Sequence, residues 1–339
     1  MPDHPKYFTL TPEELQGYVL ETNPEPPNPD KDRGRRTTLK EIKDNIKSLQ
    51  DALTQRAKEF NLPAPKLDCP PLPPDFTKEH IKALQEVFGE GNLEATVCPN
   101  PDQLTDQYFQ MMYPETQRGE DTNRGLKSYR PDWWKKTANT GFSITDEEAE
   151  KTKQPRATWG ELYIKSMRAE AGTLQNTTLL TETIKKPDYK NGTQHYGTKD
   201  GIDETKDKLL PIIRQVFGDT ANRFNLTWDQ INQELIPKLR ETLLNTLQAK
   251  HLKPIDIEII ITPAIINNIQ TTIKHPTDSQ TNTYDWSSTP LIDQYDKDSC
   301  CRLMSGHSGS GGAGCVSVGR RGGSWGGRGF RLSVVLQNT

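Results

Sequence analysis

Cys300 to Thr339 reads CCRLMSGHSGSGGAGCVSVGRRGGSWGGRGFRLSVVLQNT, and the reading of this stretch decides the fold. Nearly half of the 24 glycines of the chain fall in it. Lys, Asp and Glu are absent, while Arg302, Arg320, Arg321, Arg328 and Arg331 make it positive. Two readings compete. A Gly-, Ser- and Arg-rich tail can be disordered and bind RNA as RGG tails do. Against this, apolar residues bracket the glycines: Arg302-Leu303-Met304, then Cys315-Val316-Ser317-Val318, then Phe330-Arg331-Leu332-Ser333-Val334-Val335-Leu336. The last run alternates and then becomes continuously apolar, as a buried strand does. Short strands joined by glycine turns are the expectation.

Upstream, Ile255-Asp256-Ile257-Glu258-Ile259-Ile260-Ile261 has the same strand pattern. Thr262-Pro263 opens a short helix through Ile273, and Tyr284 to Thr289 leads into the tail. Helix signals dominate before that. Thr11-Pro12-Glu13-Glu14 is a capping box for a helix from Pro12 to about Leu20, followed by the Pro-rich linker Asn23–Arg36. Thr38-Leu39-Lys40-Glu41 opens a helix to Phe60 whose stripe is Leu39, Ile42, Ile46, Leu49, Leu53 and Phe60. That stripe suits either an oligomerisation helix, giving a homo-oligomer through Leu39–Phe60, or a helix lying on its own domain. Further helices are expected from Lys78 to Phe88 and from Lys208 to Phe217, each stopped by a glycine. Thr158-Trp159-Gly160-Glu161 and Thr227-Trp228-Asp229-Gln230 each cap another, and Pro237 should kink or divide the second. Asn191-Gly192 signals a hairpin. The whole reads as an α+β fold. Residues 1–62 form a helical and linker segment, and the Pro-rich 63–76 is the domain boundary. Residues 75–339 form one α+β domain, with 284–339 as its end.

Composition sets limits. At 339 residues, with 32% hydrophobic content and 25 prolines, the core is modest and loops are many. A net charge of −3 argues against nucleic acid as the partner of the whole molecule. No apolar run reaches the roughly eighteen residues of a membrane span. The N-terminus lacks a signal pattern, so a cytoplasmic protein, or one released without a signal peptide, is expected. Five scattered cysteines fit neither a zinc site nor a disulfide framework, and reduced thiols are expected. Trp133-Trp134, flanked by Arg130, Lys135 and Lys136, can stack a base or sugar, or can be core. No P-loop, H-E-x-x-H, G-x-S-x-G or dinucleotide fingerprint is present, and no cofactor is implied.

Trp286-Ser287-Ser288-Thr289, Arg302-Leu303, Gly311-Gly312-Ala313, Trp325 and Gly329-Phe330-Arg331-Leu332 together resemble the end of a C-type-lectin-like domain. The variant is that of the formylglycine-generating enzymes and of the variable proteins of bacterial diversity-generating retroelements. The resemblance covers about the last fifty-five residues. Cys301 and Cys315 do not fall on the catalytic cysteine pattern of the enzymes, so a diverged enzyme on that scaffold is an alternative only. Calcium-dependent sugar binding needs clustered carboxylates, and 299–339 contain none.

The retroelement resemblance implies a non-enzymatic bacterial protein that binds a protein or other surface ligand. In that family, copying errors at adenines turn asparagine codons into mixed codons. Such codons encode Gly, Ser, Arg, His, Cys, Val and Ala but not Trp, Met, Lys, Glu or Gln. From Ser305 to Arg328 only Trp325 lies outside the permitted set. The resemblance therefore implies a ligand-binding face of His307, Ser308, Ser310, Gly314, Cys315, Ser317, Gly319, Arg320, Gly322, Gly323, Gly326, Gly327 and Arg328. Leu303, Val316, Val318, Trp325, Phe330, Leu332, Val334 and Leu336 would be scaffold.

Overall fold

A computed structural model describes residues 39–113, 132–135, 157–184, 189–190, 193–194, 207–255, 257–275, 283–292, 301–306, 316–324 and 327–337. The expected helix at Pro12–Leu20 and the linker after it lie outside these residues. The described architecture is mixed α and β, with two four-stranded sheets.

The apolar run near the C-terminus becomes the centre of sheet 1. Leu332–Leu336 (β10) lies between Thr178–Glu182 (β2) and Ile257–Ile261 (β5), and Leu93–Val97 (β1) flanks β2. All three pairings are antiparallel, with Val334 opposite both Leu180 and Ile259. All five residues of β10 are buried, which is why its sequence stops alternating. Even its one hydroxyl is used: Ser333 Oγ lies 2.9 Å from Thr181 Oγ1 and 3.0 Å from Thr262 Oγ1.

Sheet 2 holds the rest of the tail. Its order is Val316–Arg320 (β8), Cys301–Gly306 (β7), Tyr284–Pro290 (β6), Arg328–Phe330 (β9). β6 and β9 run parallel, and the other pairs are antiparallel. A parallel neighbour needs a crossover. The chain between β6 and β9, which includes β7 and β8, supplies it. A small hairpin, Tyr189–Lys190 (β3) with Thr193–Gln194 (β4), forms where Asn-Gly signalled it.

Leu39–Glu59 (α1) buries Ile42, Ile46, Leu49, Leu53 and Ala57 against the elements around β1. Four of the six stripe residues, Ile42, Ile46, Leu49 and Leu53, are thus buried inside the chain, and each contributes about 1.5–3 kcal/mol there. The residues from Gly34 onward form one compact unit, which includes the Pro-rich 63–76. Lys78–Phe88 (α2) and Leu210–Phe217 (α5) keep the expected ends: Gly89 and Gly218 both stand at φ 97, which a side chain resists. The short Asp106–Met112 (α3) is capped by Thr105.

Trp159–Thr173 (α4) begins at its capping box. Glu161 N–H donates to Thr158 Oγ1 at 3.3 Å, and Thr158 N–H donates to Glu161 Oε2 at 2.7 Å. It runs past Gly172 without a break. The Thr227 box starts a helical stretch at Trp228–Gln230, which widens into a π-turn, Ile231–Leu235, before Ile236–Ala249 (α6). The π-turn stands directly before Pro237, which has no N–H to give the preceding turn. Ala264–Ile269 (α7) follows β5 and also ends in a π-turn, Gln270–Lys274. No described helix is long and apolar enough to cross a membrane.

Candidate ligand-binding surface

Sheet 2 gives the tail residues two faces. Trp286 pairs with both Met304 and Phe330, and Met304 pairs with Ser317. By alternation Gly319 and Arg328 stand on that same face, whereas Leu303, Val318 and Arg320 stand on the other. Trp286 is wholly buried, and its indole N–H donates to Leu226 O at 3.1 Å. Gly319 makes room for it: a Cβ there would lie 2.5 Å from Trp286 Cη2. Gly329 does the same for Phe224.

Three arginines rest on aromatic rings nearby. Arg302 lies 4.3 Å over Trp228, whose indole N–H donates to Ser287 O at 3.0 Å. Arg328 lies 5.0 Å over Trp286, and Arg223 5.5 Å over Phe330. Their charges are handled differently. Arg223 is buried and makes two bidentate pairs: Nε to Asp207 Oδ2 at 2.6 Å and Nη2 to Oδ1 at 2.8 Å, then Nη1 to Glu182 Oε2 at 2.9 Å and Nη2 to Oε1 at 2.7 Å. Burial alone would lower its pKa, but Asp207 and Glu182 outweigh burial and hold it well above the ordinary value. Glu182 also accepts from Leu332 N–H at 2.9 Å, tying the cluster to β10. Arg331, equally buried, has Asp285 at 3.7 Å. Arg328 is partly buried, and its Nη1 donates to Gly323 O at 3.4 Å. Burial lowers its pKa, with Tyr284 acting against the shift.

The turn from β8 closes with Gly323 N–H donating to Arg320 O at 2.9 Å. Arg320, Gly322 and Ser324 are exposed, and Arg321 and Gly323 are partly so. Arg321 anchors the turn to the helix start: its carbonyl accepts from Asp229 N–H at 3.2 Å, and its Nε lies 3.5 Å from Asp229 Oδ1. Arg321 was left out of the sequence-derived face, and nothing in its local sequence marks Asp229 as its partner.

Of the expected face, Arg320, Gly322, Gly323 and Arg328 gather around this turn. Gly319 and Gly327 are buried. Gly319 therefore belongs with the scaffold, because no side chain fits between it and Trp286. Gly327 serves through its carbonyl, which accepts from Tyr284 N–H at 2.8 Å. Ser317 is placed by register alone. His307, Ser308, Ser310, Gly314, Cys315 and Gly326 lie outside the described residues, as does Trp325. Leu303, Phe330, Leu332, Val334 and Leu336 are buried as scaffold should be, and Val318 packs against the core.

A second polar centre lies behind β6. Glu170 of α4 accepts short hydrogen bonds from Ser288 Oγ and Thr289 Oγ1. Burial pushes its carboxyl up to about 7, although these hydroxyls, the Ala264 N–H and Arg302 pull downward. Burial also raises the nearby Cys98 thiol, with Glu170 adding to the effect, which makes it a poor nucleophile. Cys301 is buried in β7. On the β1 side, burial would raise Glu94, but Lys274 at 2.9 Å and His275 at 2.9 Å hold it down to about 2. Trp134 is core, packed between Tyr113 and Tyr163 with ring centroids at 5.2 and 5.4 Å. Between α6 and β5 runs an open groove of about 440 Å³, lined by Ile236, Pro237, Arg240, Leu244, Glu258 and Ile260. Among the described residues no three His, Cys, Asp or Glu side chains gather as metal ligands.

Comparison of the chain with protein-family models, with curated proteins and with solved structures finds no match.

Proposed function

We propose that the protein is a non-enzymatic ligand-binding protein. On this reading sheet 2 is the C-type-lectin-like scaffold of a diversity-generating retroelement's variable protein, and its turns display interchangeable side chains. One observation carries the reading: among the described residues from 318 to 332, locked and exposed positions stand at close quarters. Gly319, Phe330 and Leu332 are fixed by contact with Trp286, Arg223 and the sheet 1 core, whereas Arg320, Gly322 and Ser324 face solvent. Side chains can change at the second set without disturbing the first. The disordered-tail reading finds no support in strands whose residues are buried from Phe330 to Leu336. An enzyme using Cys301 would need that thiol to meet substrate, and it is enclosed.

The test is a library randomised at 307, 308, 310, 314, 315, 320, 322, 323 and 326. Most members should keep the parent's melting temperature, and panning against protein mixtures should yield binders. A library that mostly fails to fold sinks the reading. So does a gene neighbourhood with neither a reverse transcriptase nor a near-copy of the codons for 305–331 that differs mainly at adenines.

A further inference from the structure

We propose, on the reading of sheet 2 as a display surface, that this copy takes a carboxylate of a protein partner, received by Arg328 above Trp286 beside the Arg320–Gly323 turn. Among the described residues Arg328 has no carboxylate within ion-pair distance. Its Nε is shielded from solvent and has no hydrogen-bond partner among the described residues, and its Nη1 makes only the long bond to Gly323 O there. No sequence neighbour can neutralise it, since Cys300 to Thr339 contains no Asp or Glu. Asp229, which lies beside the turn, is engaged by Arg321.

The guanidinium is nonetheless held in place. Trp286 forms its floor, and Trp286 is itself fixed by Leu226 O and by the space at Gly319. A pre-positioned planar fork with free donors matches a carboxylate. Because the arginine is already partly dehydrated, an incoming acid meets a charge that has lost part of its water in advance. Arg320, exposed at the end of β8 with its side chain on the other face of sheet 2, adds positive charge only at a distance. A nucleic acid would call for a row of cations along its backbone. The turn offers a compact cluster with Asp229 at its edge, on a chain of net charge −3, which suits one discrete acid.

The experiment pans a random displayed peptide library against the full chain. Enriched peptides rich in Asp or Glu are expected. Their amide isosteres, and the Arg328→Gln variant, should each lose about tenfold in affinity, the worth of one charge-assisted hydrogen bond. Arg328→Lys should recover part of the loss, because it restores charge without the fork. Thermal melts establish that Arg328→Gln is folded; if it is not, the isosteres and Arg328→Lys carry the result. Binders without acidic enrichment that are lost on Arg320→Glu or Gly322→Glu would overturn the carboxylate and leave the display surface standing. Single-stranded RNA displacing the peptides through Arg328 would also overturn the carboxylate. An absence of binders, or binders indifferent to Arg320, Gly322 and Arg328, would overturn both.

Discussion

Arg223 and Arg328 both lie over an aromatic ring beside β9, and the two rings, Phe330 and Trp286, are register partners. Arg223 meets two carboxylates through four hydrogen bonds and is sealed from water. Arg328 meets one carbonyl and stays partly open. Removing a charge from water is costly unless partners replace the solvent. A cation that is fully compensated inside the chain has nothing left to offer a ligand, so Arg223 is structural. A cation held at the surface without compensation keeps its donors available, and that makes Arg328 the more informative of the two.

The comparison can be broken most severely at the closed cluster. Arg223→Met should leave Glu182 and Asp207 enclosed without a cation and cost about 3–5 kcal/mol in urea-induced unfolding; a loss below about 1 kcal/mol would mean the cluster is not the closed unit described. Gly319→Ala comes next. It pushes a methyl into Trp286 and should cost about 1–3 kcal/mol, with a change in tryptophan fluorescence as the ring moves.

Glu170 sharpens the contrast from the acid side. Its carboxyl titrates near 7 in the fold against an ordinary 4.5. A raised carboxyl pKa means that the folded state binds more protons between those values, so stability should fall as pH rises from about 4.5 to 7. Glu170→Gln should flatten that slope and raise stability at pH 8 by roughly 1–2 kcal/mol, read from denaturation at several pH values. The smallest effect belongs to Arg320→Ala, expected to shift stability by less than about 0.5 kcal/mol in the same assay while altering ligand capture.

Much of this was legible where one physical signal acts alone. The helices starting at Thr158 and Thr227 follow their capping boxes, and α2 and α5 stop at the expected glycines. β5 and β10 were readable as runs that alternate and then turn continuously apolar. β1 and β2 were not, because LEATV carries a half-buried Glu and a buried Thr, and TLLTE carries Thr and Glu into a fully enclosed strand. Glu182 is acceptable there only because Arg223, forty-one residues away, answers it, and no local pattern announces that pairing. The same holds at the surface. Gly319 and Gly322 look alike in a glycine-rich string, and only the approach of Trp286 separates the locked position from the open one. α1 shows the reverse ambiguity: its stripe fits a partner helix or its own domain equally well, and contact with the β1 region decides.

The order of sheet 1 has one more consequence. β10 is translated last of its strands, yet it must insert between β2 and β5. A frameshift or stop codon anywhere between β5 and β10 therefore also deletes the seam of this sheet. Such a product would be left with two bare strand margins and open to proteolysis. Sheet 1 thus makes the persistence of the product depend on an intact reading frame through the whole glycine-rich stretch before it.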